Sequence, residues 1–581
     1  MAVTLGLALC GPAVAAQTRD VRPGAGMGVI SGIVVSDDAE ARPVRKARVT
    51  CSRPDAPGDT TVTDDAGRFI FAGLPAGRYN VGAAKATWIA VNHGAARSGR
   101  PGSPVPLAAG QKLEVVLRMA RGAVITGVVL DHNNEPAAAR PVRALRSAIV
   151  NGERRLVATA AAMTDDRGVY RLFGLPSGDY IVSTVGAGPA GPELRLTSDA
   201  DIRHASAPVR TPPPAARGVT IAATYYPGTT MVSQASPITI GKGEERDGID
   251  LTLQLAPTAR VEGAVSMPEG GVPRGTEVHL IANDDPGGPA MPLQALNTRS
   301  VDAGGAFSFG NIGPGLYTVA ARAARPATNP DGSSAGPPQM VWASIDIAVD
   351  GEDVRGLSLS LEPGLTISGR VRFEGTSLKP PADMKSIRVT ASPAELRSSL
   401  ALAPAPVSIG ADGRFTLPGV TPGRYRLTAS FPGSGRPGGW LMRSAIAAGQ
   451  DSLDAPFTLS PNQHVLDAVI TFTDRMAQLT GSVLDASGAA APDCTVIVFP
   501  ADPALWIAQS RRIQGIRPGA DGAYAVRGIP AGRYLVAAID DVEPGEWFDR
   551  AFLQRLASSA ATVAIADGEQ SVRDLRIAGG R

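Results

Sequence analysis

Several stretches of this chain carry residue types that chemistry can use. His132-Asn133-Asn134-Glu135 spells a His-x-x-Glu pair, a spacing with which two ligands of a zinc hydrolase site can be placed, and His204 or His279 would be the third ligand. Gly332-Ser333-Ser334-Ala335-Gly336 matches the Gly-x-Ser-x-Gly elbow of a serine esterase. Gly186-Ala187-Gly188-Pro189-Ala190-Gly191 imitates a dinucleotide loop. The carboxylate pairs Asp64 and Asp65, Asp165 and Asp166, and Asp284 and Asp285 offer oxygens to a hard cation such as calcium.

Each pattern meets a plainer account in its own flanks. His132 follows the strand-like Val128-Val129-Leu130-Asp131, where other parts of the chain write Leu484-Asp485-Ala486-Ser487-Gly488 and Ser36-Asp37-Asp38-Ala39, so a surface turn explains it. There is no His-Glu-x-x-His, and His93 and His464 stand away from other ligand types. Ser334 lies between Asn329-Pro330-Asp331 and Pro337-Pro338, where the elbow needs a strand before it and a helix after it. Pro189 and Pro192 leave no helix N-terminus to hold a pyrophosphate. The Asp pairs lack the alternating calcium-loop spacing and read as turn-forming carboxylates in water; Asp540-Asp541-Val542-Glu543 beside Trp547 reads as a solvated loop. No catalytic residue, metal ligand or cofactor is therefore assigned.

Aromatic rings offer a second kind of chemistry. The tryptophans are Trp88, Trp342, Trp440, Trp506 and Trp547, and a ring exposed in a loop stacks on the apolar face of a sugar. Trp440 and Trp547 sit among Gly and Pro, so they are the binding candidates if exposed, although core packing is the favoured account of each ring. Tyr225 and Tyr226 join them, because Tyr225-Tyr226-Pro227-Gly228 lies in a long insertion and loops carry function disproportionately.

What must position these residues is a phrase written five times. It runs Asp65-Ala66-Gly67-Arg68-Phe69 to Gly73-Leu74-Pro75-Ala76-Gly77-Arg78-Tyr79, and returns around Tyr170 to Tyr180, Phe307 to Tyr317, Phe415 to Tyr425 and Tyr524 to Tyr534. The third copy writes Asn311-Ile312-Gly313-Pro314 for Gly-Leu-Pro, and the fourth is read as having Thr421 inserted before Pro422. Asp and Gly close a short turn, after which apolar and polar residues alternate with the period of a half-buried strand. Pro ends that strand, and the chain re-enters as Tyr79-Asn80-Val81. Every copy also opens with an alternating strand containing Gly, as in Ile30-Ser31-Gly32-Ile33-Val34, and closes with another, as in Leu113-Glu114-Val115-Val116-Leu117.

These signals predict an all-β chain, a tandem array of five antiparallel β-sandwich modules. The boundaries are 28–120, 121–256 with a long insertion, 257–362, 363–475 and 476–581, after a signal and linker over 1–27. Linkers of a few residues favour an extended, semi-rigid rod. No helical period runs long between the strands.

Composition bounds the function. A net charge of +2 across 581 residues, with both signs interspersed, gives no basic face for nucleic acid. Cys10, Cys51 and Cys494 fall in different parts of the chain, so no module is stapled by its own disulfide. The apolar Val3 to Cys10 followed by Ala13-Val14-Ala15-Ala16-Gln17 resembles a secretory signal without its basic start. No later stretch is long and apolar enough to span a membrane.

Together, the Ile-x-Gly-x-Val opening, the Asp-x-Gly-x-Phe/Tyr hairpin and the Gly-Leu/Ile-Pro-x-Gly-x-Tyr turn resemble the carboxypeptidase regulatory-like domain, a transthyretin-like or immunoglobulin-like sandwich. The resemblance covers nearly everything after residue 28 and implies fold far more than activity. In metallocarboxypeptidases such a sandwich stands beside the catalytic domain, and similar modules occur in secreted bacterial proteins and near starch-binding-like folds. The expectation is a non-catalytic exported scaffold or binding protein, periplasmic, secreted or at the cell surface, whose partner is a protein or polysaccharide. The alternative is a zinc peptidase or serine esterase with its site in the insertions of module two or three.

Overall fold

The computed structural model describes residues 27–577 except 54–55, 96–98, 100–101, 103, 151, 187–193, 195–196, 198, 200–201, 204–217, 284–296, 327–337, 395–403, 436–438, 520 and 541. The signal-like stretch over 1–26 thus lies outside the described residues. Strands dominate, and they assemble as two facing sheets in each repeated unit. None of the helices among the described residues is long and apolar enough to cross a membrane.

The phrase read from the sequence builds the first sheet of every unit. In the first, the opening strand Gly28–Ser36 pairs antiparallel with the hairpin strand Arg68–Leu74 and parallel with the closing strand Lys112–Met119. Ala259–Ser266 does the same with Ala306–Ile312 and Val354–Ser360, and Leu365–Glu374 with Arg414–Val420 and Val465–Thr473. Antiparallel pairing therefore holds at the hairpins, while each first sheet also contains parallel pairing, with one closing strand in the first, third and fourth units and with two short ones in the second and fifth. The physical reason is connectivity: between its first and last strands the chain crosses to build the second sheet, and it returns running the same way.

The second sheets are antiparallel throughout, as in the order Glu153–Met163, Pro141–Val150, Gly178–Thr184, Ile238–Ile240. Between the two sheets lie the alternate residues of the hairpins. Phe69 and Phe71, Tyr170 and Leu172, Phe307 and Phe309, Phe415 and Leu417, and Tyr524 and Val526 are all buried. Separate apolar clusters draw on residues 30–119, 123–253, 259–361, 365–472 and 477–575.

The glycine of the opening strand is explained by close approach. A Cβ on Gly32 would stand 1.9 Å from the carbonyl oxygen of Val115 and 2.9 Å from the ring of Phe69. Gly481 meets the Arg573 carbonyl at 1.9 Å in the same way, so the parallel strand can seat itself only where no side chain projects. A different demand acts at the hairpin end, where Gly73 has φ of 77° and Asn311 holds the equivalent place at 59°. Asn tolerates this left-handed backbone better than most residues, so the third copy keeps the turn without Gly.

Two expectations need correction, and one short element was missed. Thr421 is not an insertion: Val420 ends its strand as Leu74 does, Gly423 begins the next as Gly77 does, and Thr421 therefore stands where the first copy has Pro75. A helix, Arg550–Ala557, was not anticipated; Asp549 caps it by accepting from the Phe552 N–H, and Leu553 and Leu556 are buried. The capping Asp and the spacing of Phe552, Leu553 and Leu556 were its signal, too short to compete with the strand periods around it.

The extended rod is overturned as well. The fifth unit touches the first through Arg517, which donates to the Gly94 carbonyl at 2.9 Å, and the second through Arg146 and Glu543 at 2.6 Å. The array folds back on itself. The reason lies in Thr495–Pro500, buried on both faces, where an added layer of Trp506, Ile513, Leu553 and Leu556 covers the side that would otherwise meet water. That layer supplies the extra surface on which the second unit rests, Gly152 lying against Ala508 and Phe548.

Candidate functional site

The repeated turns consume their own carboxylates. Asp165 Oδ1 accepts from the backbone N–H groups of Arg167 and Val169 at 3.0 and 2.8 Å, and Asp302 accepts from Gly304 and Ala306 at 2.9 and 2.8 Å. Asp64 accepts from the Arg68 N–H at 2.7 Å and from its guanidinium at 2.9 Å. Backbone hydrogen bonds hold Asp64 and Asp165 below the usual carboxylate range. Their oxygens close hairpins. Asp284 and Asp285 lie outside the described residues.

His132 occupies the same kind of turn. Asp131 Oδ1 accepts from Asn133 and Glu135 at 2.8 and 2.9 Å, with Asn134 at φ of 63°. Asp485 accepts from Ser487 and Ala489 at 2.8 and 3.0 Å in the corresponding loop, with Gly488 at φ of 85°. His132 and Glu135 are both exposed on this loop. His279 is buried on the strand Glu277–Ala282, its Nδ1 3.0 Å from Thr298 Oγ1 and its Nε2 3.8 Å from Glu277. Burial lowers its pKa. His464 Nδ1 accepts from the Thr366 N–H at 3.0 Å. Among the described residues, no group of three or more His, Cys, Asp or Glu is arranged to hold a metal. His204, the Ser334 loop and Ala187 to Gly191 lie outside the described residues.

The aromatic candidates divide. Trp440 is 5% exposed and stands edge-on to Phe373 at 4.9 Å between centroids, with Nε1 donating to the Lys379 carbonyl at 3.3 Å. It is a core side chain that leaves no open face for a sugar. Tyr225 is also buried and bridges to Ser183, while Tyr226 packs half-buried against the second core. Trp547 is half-buried; a Cβ on Gly515 would come within 2.8 Å of its ring, so that side of the indole rests on the Gln514–Ile516 strand. The four side chains belong to different packings and do not assemble one surface.

The repeated tyrosines hold the second turn. Tyr79, Tyr180 and Tyr534 each donate to a carbonyl four residues back, on Pro75, Pro176 and Pro530, at 2.7 Å. Tyr317 donates to Gly313 at 2.9 Å, and Tyr425 shares a 2.8 Å bond with Thr421 Oγ1. Burial pushes the Tyr534 hydroxyl up to about 12.

The densest half-buried charge was not singled out from the sequence. Arg511 reaches Asp451 at 2.7 Å and Asp454 at 2.8 Å, and Arg512 reaches Asp454 at 2.7 Å and the Tyr534 hydroxyl at 3.3 Å. Arg443 bridges Glu374 and Asp567, both at 2.7 Å. A cavity of about 240 Å³ opens beside them, lined by Arg443, Arg511, Met476 and Asp567. Each cation faces a carboxylate, which suits cohesion between the fourth and fifth cores. The adjacent Arg511-Arg512 was the only sequence signal, and its partners lie about sixty residues away. The acidic stretch also departs from a solvated loop, since Val542 is buried and Glu543 is half-buried against Arg146.

No curated protein matches the chain. Among solved structures it is similar to a Streptococcal ancillary pilin, with 10% identity over 58% of this chain and 99% of that one at a TM-score of 0.22. It is also similar to BcpA, the major pilin subunit of Bacillus cereus, with 12% identity over 58% of this chain and 100% of that one at 0.16. GBS52, the minor pilin of Streptococcus agalactiae, has 13% identity over 39% of this chain and 95% of that one at 0.19. Superpositions this partial bear no weight for function. Residues 29–120 match the family model of the Carboxypeptidase regulatory-like domain, and the first repeated unit is identified as a domain of that family.

Proposed function

We propose that this chain is a non-catalytic, exported protein of five β-sandwich modules that acts as a scaffold or binding platform, with an extracellular or periplasmic protein or polysaccharide as partner. The observation that supports this reading best is the fate of the reactive residue types: Asp64, Asp131, Asp165, Asp302 and Asp485 spend their oxygens on their own turns. A convergent nucleophile, base and oxyanion donor are what an enzyme would need. The secretory-type start and the resemblance of every unit to secreted modules support export.

Carbohydrate recognition is the finer version of this proposal, and it rests on Trp547, the binding candidate that stays half-buried, in the short 3-10 turn Glu546–Phe548. The test is metal content and turnover of peptide and ester substrates by the purified protein, alongside a glycan array. Binding without turnover, weakened by Trp547→Ala, is the expected result. Stoichiometric zinc lost together with peptidase activity in His132→Ala would overturn it.

A further inference from the structure

We infer that the fifth module is a latch, its inserted layer holding the second module and its turn at Arg517 and Asp521 holding the first, so that the array exists in a closed form that loss of ion pairing opens. The point of convergence is Ala508. From the second module, the tip of the hairpin Pro141–Val150 and Glu153–Met163 reaches it, and a Cβ on Gly152 would stand 2.2 Å from the Ala508 Cβ and 3.4 Å from the Phe548 Cβ. From the fourth module, Arg426 donates to the Ala508 carbonyl at 2.9 Å.

Around that apolar point the contacts are polar. Arg146 meets Glu543 at 2.6 Å, with side chains 31% and 34% exposed. Arg78 of the first module meets Asp521 at 3.8 Å, and Arg517 donates to the Gly94 carbonyl at 2.9 Å. Toward its sequence neighbour, by contrast, the fifth module is bound through the better buried Arg511, Arg512, Asp451 and Asp454. The fourth and fifth modules therefore stay together while the seam to the first and second is the weaker joint.

The two seams differ in how salt acts on them. Exposed ion pairs weaken as salt rises, whereas buried pairs are screened much less. Interfaces between domains of one chain are commonly small and polar, and motion across them is the default. Among the described residues, a seam of a few apolar contacts at Gly152, Ala508, Phe548 and Ile149 with half-exposed ion pairs beside them falls in that class. Release leaves each module folded, because its own core lies between its two sheets. It uncovers Ile149, Gly152, Ala508 and Phe548 together.

The test is small-angle scattering on the full chain between about 50 mM and about 1 M NaCl, conditions across which the Debye length falls from above about 10 Å to about 3 Å, the scale of the pair separations themselves. The expected result is a closed form at low salt and a radius of gyration larger by roughly a third or more at high salt, measured against about 25 Å for a fully compact chain of this length. The variant Arg78→Glu with Arg146→Glu opens the array at low salt, and adding Asp521→Arg with Glu543→Arg closes it again. Circular dichroism separates opening from unfolding, and the salt series on the unsubstituted chain stands without any variant. A radius that is unchanged by salt, or already expanded at low salt, overturns the latch, as does a folded double variant that stays closed.

Discussion

The carbonyl oxygen of Val115 stands 1.9 Å from the place a Cβ on Gly32 would occupy, so the opening and closing strands of the first module can pair in parallel only through a residue with no side chain. Gly32→Ala is expected to destabilise that module by about 2 kcal/mol or more, in the range of overpacked core substitutions. Gly310, which has nothing within 4 Å of its Cβ position, is the control. Gly310→Ala should fall within about 0.5 kcal/mol of the parent, as exposed substitutions do. Urea unfolding of each variant checks both values.

Tyr534→Phe removes a buried hydroxyl that donates to the Pro530 carbonyl and meets Arg512. The expected loss is about 1 to 2 kcal/mol, since the carbonyl loses its donor. Tyr425→Phe has a different partner, the hydroxyl of Thr421. Combining it with Thr421→Val should cost less than the sum of the two single changes, a double-mutant cycle that equilibrium unfolding can close.

Acid stability is expected to depend on Asp474. Its carboxylate accepts from the N–H groups of Thr376, Ser377 and Leu378 between 2.6 and 3.1 Å, and those bonds hold its pKa below the usual value. A depressed folded pKa means stabilisation that is complete above the free Asp value of about 3.9 and is lost as pH falls through the folded pKa. Asp474→Asn should therefore lower stability at neutral pH and flatten the acid limb of a plot of unfolding midpoint against pH.

Cys51 and Cys494 are both free and buried, and burial pushes each thiol up to about 11. Raised folded pKa values have the opposite sign: the stabilisation is complete below about 8.5, where a free thiol titrates, and is lost as pH rises toward the folded values. Alkylation at pH 8 should spare both residues in the native chain and reach both in denaturant. Peptide mapping by mass spectrometry reads the outcome, and rapid labelling of either in the native state would contradict the packing.

Trp440→Ala should cost about 3 to 5 kcal/mol, because the ring fills the fourth core against Phe373. Any ligand lost in that variant would report unfolding. Trp547→Ala removes a ring that rests on the Gln514–Ile516 strand and adjoins Phe548 with centroids 6.3 Å apart, so a smaller loss is expected. Thermal unfolding of the two variants side by side tests the order.

Much of this protein was written locally. The Asp-x-Gly turns, the alternation that buries Phe69 and Phe71, and the tyrosine four residues after its acceptor all operate within a dozen residues, where propensity, period and turn chemistry agree. The turn around His132 was legible for the same reason, by its likeness to the loop at Asp485. Core packing was the favoured account of Trp440 on aromatic content alone, but its partner was not legible, since Pro437, Gly438 and Gly439 signal a loop while the ring reaches Phe373, 67 residues earlier in number.

The sequence by itself determined that this is a strand protein made of one repeated unit, because period and turn residues act over short range. Only the tertiary structure decided which strands run parallel, which side of the fifth unit is covered, and that Arg146 meets Glu543. Those depend on surfaces up to about four hundred residues apart along the chain, and neither partner's local sequence carries a mark of the other.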